Sequence, residues 1–140
     1  MVPTLGTMRR LHLYTGCLSI LIFVLTGLYL RLHPLPDTAP YNTAHLLRRS
    51  RHIYILTSAL LHLMLGLYLT PQPAGWRRLL QTIGSAVLIL STALLILAFV
   101  LEPREGFQPE MWRSRYGLIT LLLGCVAHVL SAGQPRRKVI

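Results

Sequence analysis

Long apolar runs of one size alternate along this chain with short polar stretches. Residues 11–30, 52–69, 81–101 and 115–132 each approach the roughly 20 apolar residues that a helix needs to cross about 30 Å of hydrocarbon. The pattern predicts an all-α fold: a polytopic membrane protein forming one four-transmembrane-helix bundle over 1–140. Its helices are expected at about 11–31, 51–70, 79–101 and 115–132, with short loops between them. The breaks fall where helix-breaking residues sit. His33-Pro34-Leu35-Pro36 and Pro40 hold the first connection extended. Asn42-Thr43 reads as the cap of a short interfacial helix over 44–49, with Leu46 and Leu47 dipping into lipid. Pro71, Glu102-Pro103 and Gly133-Gln134-Pro135 end the later runs. Arg9-Arg10 before the first run imitates a signal peptide. That run is longer than a signal core and no small-x-small cleavage pattern follows it, so an uncleaved first helix is expected.

Composition agrees with a membrane environment. The chain has 140 residues, 53% hydrophobic, with only four acids against 14 Lys and Arg. A net charge of +10 would suit nucleic acid. Here, however, the cations form short clusters at the ends of apolar runs, where they anchor a membrane protein to headgroups. Nucleic-acid binding is therefore not expected; the lipid bilayer is the expected partner, together with other membrane subunits or a second copy of the chain. Trp76 and Trp112 stand where aromatic belts place tryptophan. Cys17 and Cys125 lie inside apolar runs and read as packing residues. Four spans divide the 14 cations seven to seven between the two sides. The tie is resolved toward cytoplasmic termini only by Arg9-Arg10 outweighing Arg31 at the first helix, and a bacterial inner membrane is the expected location. The first two runs also match loosely, His12-x-Tyr14 with His52-x-Tyr54 and Gly27-Leu-Tyr-Leu with Gly66-Leu-Tyr-Leu. Ordinary belt tyrosines explain this better than an inverted repeat.

Six histidines mark the candidate chemistry. His33 and His45 belong to the first connection. His12 and His52 stand at helix entrances beside arginines, where a ring can snorkel to headgroups. His62 and His128 are interior. Each lies between small residues four positions away, Ser58 and Gly66 for His62, Gly124 and Ala132 for His128, on one helix face. Counted from Arg51 and Arg115 on two parallel helices, the rings lie roughly 16 and 20 Å deep. Two imidazoles at similar depth, with room beside them, are what a b-type haem with two axial histidines requires. The simpler alternative is a hydrogen bond from each ring to a neighbouring helix, with Thr57, Ser58, Ser91, Thr92, Thr120 or Ser131 as partner. No metal site is expected, since no carboxylate or thiol sits at ligand spacing to either ring. No carboxylate lies within a span, and no phosphate loop or metalloprotease motif occurs, so an enzyme is not favoured.

The opening RRLHLYTG, followed by LTG, is similar to the first membrane helix of PepSY-associated proteins, some of which carry haem between histidine-bearing helices. The likeness covers that helix alone, and no extramembrane PepSY domain is expected within these 140 residues. Two functions are therefore expected. The first is a non-catalytic accessory or scaffolding subunit of a larger membrane complex, such as a respiratory one. The second is a b-type cytochrome-like electron carrier with haem b held between His62 and His128.

Overall fold

A computed structural model describes residues 5–34, 43–72, 75–102 and 111–132. All regular structure among them is helical: α1 (Leu5–Leu32), α2 (Thr43–Tyr68), α3 (Trp76–Leu101) and α4 (Trp112–Ser131). Successive helices run antiparallel. α1 packs closely on α2 and α3 on α4, and the two hairpins meet mainly along α2 and α3. The backbones of α1 and α4 stay apart on opposite flanks.

Among the described residues three helices, not four, are long and apolar enough to cross a membrane: Gly6–Leu32, Trp76–Leu101 and Trp112–Ser131. The exception is α2. Arg48, Arg49 and Arg51 occupy its first third, and His52, Thr57, Ser58 and His62 dilute the rest before it ends at Tyr68. Arg48, Arg51, Ser58 and His62 are buried, because α2 touches all three other helices and lipid need not solvate its inner face, whereas Arg49 and Thr57 are exposed. The separate interfacial helix expected over 44–49 is also corrected, since those residues are the first turns of α2 itself. Nothing between Arg49 and His52 breaks a helix, and Ser50 returns its hydroxyl to the Leu46 carbonyl at 2.8 Å.

The bundle turns leucine and valine outward and small or polar side chains inward. Ser19, Ser58, Ser85, Ser91, Thr92, His12 and His62 are buried, while Leu21, Val24, Leu60, Leu122 and Val129 are exposed. Association of such helices depends on close approach of backbones rather than on hydrophobic burial. Glycines provide that approach within each hairpin: Gly16 faces Leu63 and Gly66 faces Leu13 between α1 and α2, while Gly124 faces Leu88 and Gly117 faces Leu95 between α4 and α3. Arg9 fastens the first hairpin further by donating to the terminal carbonyls of α2, at 3.1 Å to Gly66 and 2.8 Å to Leu67. Trp76 and Trp112 begin helices at opposite ends of the bundle, both exposed, each with the following arginine over its ring.

Gly66→Ala should lower stability by about 1–3 kcal/mol. Its methyl would fall 2.9 Å from the Leu13 backbone nitrogen, which cannot rotate away. Gly6→Ala meets nothing within 4 Å and should be neutral or slightly stabilising. Thermal unfolding of both variants in detergent micelles distinguishes the two sites, and equal midpoints would refute the close approach.

Candidate functional site

All four helices contribute to one line of hydrogen-bonded side chains. His62 Nε2 lies 2.9 Å from Thr92 Oγ1. His62 Nδ1 lies 2.7 Å from His12 Nδ1. His12 Nε2 is 2.9 Å from Ser85 Oγ, which is 3.3 Å from His128 Nε2. The His12 ring centroid is 4.9 Å from that of His62 and 5.9 Å from that of His128. His12 and His62 are 0% and 1% exposed, so water does not complete their bonding. Counting from the helix ends, the three rings lie within about two turns of the end where α1 starts and α4 stops.

Glycine placement assembles this line. Gly66 and Gly16 each lie one turn after a histidine, His62 and His12, and draw α1 and α2 together beside those rings. A Cβ at Gly84 would sit 3.2 Å from His128 Cδ2, so that glycine admits the third ring against α3.

Hydrogen-bond counting fixes the order of protons when all three rings are neutral. A neutral imidazole donates from one nitrogen and accepts at the other, so setting one end of the line sets the whole. The Thr92 hydroxyl reaches the Leu88 carbonyl at 3.0 Å, and a carbonyl only accepts. If Thr92 donates there, it accepts from His62 Nε2–H. His62 Nδ1 then accepts from His12 Nδ1–H, His12 Nε2 accepts from the Ser85 hydroxyl, and Ser85 accepts from His128 Nε2–H. The reverse order forfeits the bond to Leu88 and leaves a buried N–H of His128 without an acceptor. The first order keeps one more bond, worth about 1 kcal/mol, and avoids an orphaned donor. It ends in a bare lone pair on His128 Nδ1, a buried atom with no hydrogen-bond partner. His128 is also among the residues lining a cleft of about 320 Å³ between the ends of α2 and α4 and the start of α3, with Met64, Tyr68 and Gln81.

The expected site residues divide. His62 and His128 belong to one network, yet His12 and Ser85 stand between them. His12 was expected to snorkel and instead is fully buried. It lies on the second turn of α1, because that helix begins at Leu5 rather than near residue 11. Thr92 is the one anticipated partner that bonds a ring; Ser58 and Ser131 return their hydroxyls to Ile55 and His128 carbonyls of their own helices. Gly66 and Gly124 receive leucines from neighbouring helices, and Ala132 caps α4 at the rim of the cleft. His52 is not in the line: it stacks on Phe23 at 4.1 Å and bonds Thr26 at 3.0 Å, so the two halves of the loose repeat have unlike surroundings.

A haem between His62 and His128 does not fit this packing. Axial ligation uses one free nitrogen from each ring across the macrocycle, and both nitrogens of His62 are engaged. Leu13 and Leu88 fill the space beside Gly66 and Gly124 that a porphyrin would need. Among the described residues, no group of three or more His, Cys, Asp or Glu is arranged to hold a metal ion.

A second polar cluster ties the opposite end of the bundle. Arg51 and Glu102 form a buried ion pair, Nε to Oε2 3.1 Å. Glu102 Oε1 accepts the backbone N–H of Ser114 at 2.7 Å, capping the first turn of α4 from another helix.

No protein-family model, characterised protein or solved structure matches this chain.

Proposed function

We propose that this chain is a small non-enzymatic membrane protein whose working part is a proton-accepting histidine line. The observation that carries this reading is the bare Nδ1 of His128 at the end of a continuous series of hydrogen bonds. A proton arriving there makes His128 an imidazolium. Its Nε2 proton passes to Ser85, the Ser85 proton to His12 Nε2, and the His12 Nδ1 proton to His62 Nδ1. Each transfer breaks one bond to hydrogen and forms one, and the charge ends on His62 with the order of the line reversed. Thr92 then closes the path, because its hydroxyl faces a backbone carbonyl that cannot carry a proton onward. The line takes up and holds a proton rather than conducting one across the bundle.

The accessory-subunit reading rests on no comparable cluster of side chains, and Gly16, Gly66, Gly117 and Gly124 already pair α1 with α2 and α3 with α4. The haem reading requires a different arrangement of His62 and His12.

Nitrogen-15 NMR of histidine-labelled protein in nanodiscs tests the proposal. At high pH the expected tautomers are Nε2–H on His62 and His128 and Nδ1–H on His12. On acidification, His62 and His128 should respond together, and Ser85→Ala should uncouple them. An Nδ1–H tautomer on neutral His128, or coupling unaffected by Ser85→Ala, rejects the line as a proton acceptor.

A further inference from the structure

At the end of the bundle away from the histidine line, the last turn of α1 and the first turns of α2 enclose a cleft of about 270 Å³. It is lined by Leu30, Arg31, Pro34, His45, Arg48 and Arg49. Among the described residues, no carboxylate lines it. Arg48 is held rather than free to sweep through solvent. It is 8% exposed, its Nη1 donates to the His33 carbonyl at 2.8 Å, and its guanidinium lies 5.1 Å from the centre of the Tyr29 ring. Its Nη2 is buried and has no hydrogen-bond partner. A guanidinium fixed on two sides with an unused donor edge is costly unless an acceptor meets it. Arg31 and Arg49 are exposed at the same cleft, so they can reach an incoming anion without first breaking bonds of the fold. The segment 35–42 contains a single acid, Asp37, too little charge to balance three arginines.

We propose that Arg31, Arg48 and Arg49 form a binding site for one phosphate group. A guanidinium presents paired N–H donors that match two oxygens of a phosphate, whereas a carboxylate of the same charge offers fewer oxygens to three donors. The site stands at the end of an apolar helix, the level at which phospholipid headgroups lie. The same chemistry would hold the phosphate of an anionic lipid or a free phosphate from the aqueous side. Arg48 supplies the fixed donor edge, and Arg31 and Arg49 close over the ligand from the rim.

Native mass spectrometry of the full chain tests this, with protein taken from nanodiscs of phosphatidylcholine containing phosphatidic acid or phosphatidylglycerol. One anionic lipid should survive delipidation per chain. Arg31→Gln with Arg49→Gln leaves the buried arginine in place and should weaken retention by about tenfold or more. Arg48→Lys keeps the charge without the paired donors and should weaken retention as well. Added inorganic phosphate decides the source: displacement of the lipid at millimolar phosphate assigns the site to free phosphate, and no displacement assigns it to a lipid headgroup. Equal retention of phosphatidylcholine and anionic lipid, or retention unchanged by the double rim variant, overturns the proposal. Should Arg48→Lys prove unfolded by circular dichroism, the rim variant alone decides the matter.

Discussion

Glu102→Gln should lower the stability of the bundle by about 3–5 kcal/mol, the usual cost of stripping one partner from a buried ion pair. The two side chains are 5% and 0% exposed, so water cannot replace the lost charge. The carboxylate also accepts from the Ser114 backbone and hydroxyl while its other face meets Arg51. It therefore joins α2, the end of α3 and the start of α4 at one point. A glutamine of the same shape turns an NH₂ toward one of these donors, setting donor against donor. Replacing both partners by apolar residues, Arg51→Met with Glu102→Leu, removes the uncompensated charge and should recover much of the loss. Equilibrium unfolding in mixed micelles measures both variants. If Glu102→Gln unfolds within about 0.5 kcal/mol of the unaltered chain, the pair is not a structural anchor.

Periodicity located the four helices but not all their starts, since α1 begins at Leu5 rather than near residue 11 and α2 at Thr43 rather than near 51. The four helices and their antiparallel order follow from run length and from Pro71, Glu102-Pro103 and the first proline-rich connection. What periodicity could not reveal is which arginines stay exposed and which serve the interior. Arg48, Arg49 and Arg51 look identical as a cluster at the foot of a span. Only the packing of α2 against α1 and α3 separates exposed Arg49 from buried Arg48 and Arg51. Glu102 is the same case: beside Pro103 it reads as a helix stop, and its pairing with Arg51 depends on a contact 51 positions away. The histidine line was half legible. Small residues at four-residue spacing singled out His62 and His128, and the same signal was available for His12, which shares a face with Gly16 and Ser19. The apparent start of the first run at residue 11 hid it by placing His12 at a membrane entrance. Ser85 had no local mark at all, since a serine beside a glycine in an apolar helix reads as packing. Its role comes from facing two rings at once.

His12→Ala should be the most damaging of the histidine substitutions. His12 is the middle of the line, and its removal leaves the Ser85 hydroxyl and the His62 Nδ1 without their partner at a buried site. An unsatisfied buried polar group costs about 1–3 kcal/mol, and the cavity left by the ring adds to that, giving a total of about 3–5 kcal/mol. His52→Ala provides the comparison on the neighbouring helix. It loses a stacked ring contact and one hydrogen bond at a partly exposed position, for about 1–2 kcal/mol. His12→Asn separates chemistry from volume, because a carboxamide can donate toward His62 and accept from Ser85 and should restore part of the stability. It cannot relay a proton by exchanging donor and acceptor as imidazole does, so His62 and His128 should titrate independently in its nitrogen-15 spectra. A His12→Ala variant no less stable than His52→Ala would mean that the His12 ring is not held by its two neighbours. Coupled titration surviving in His12→Asn would mean that protons reach His62 by another route.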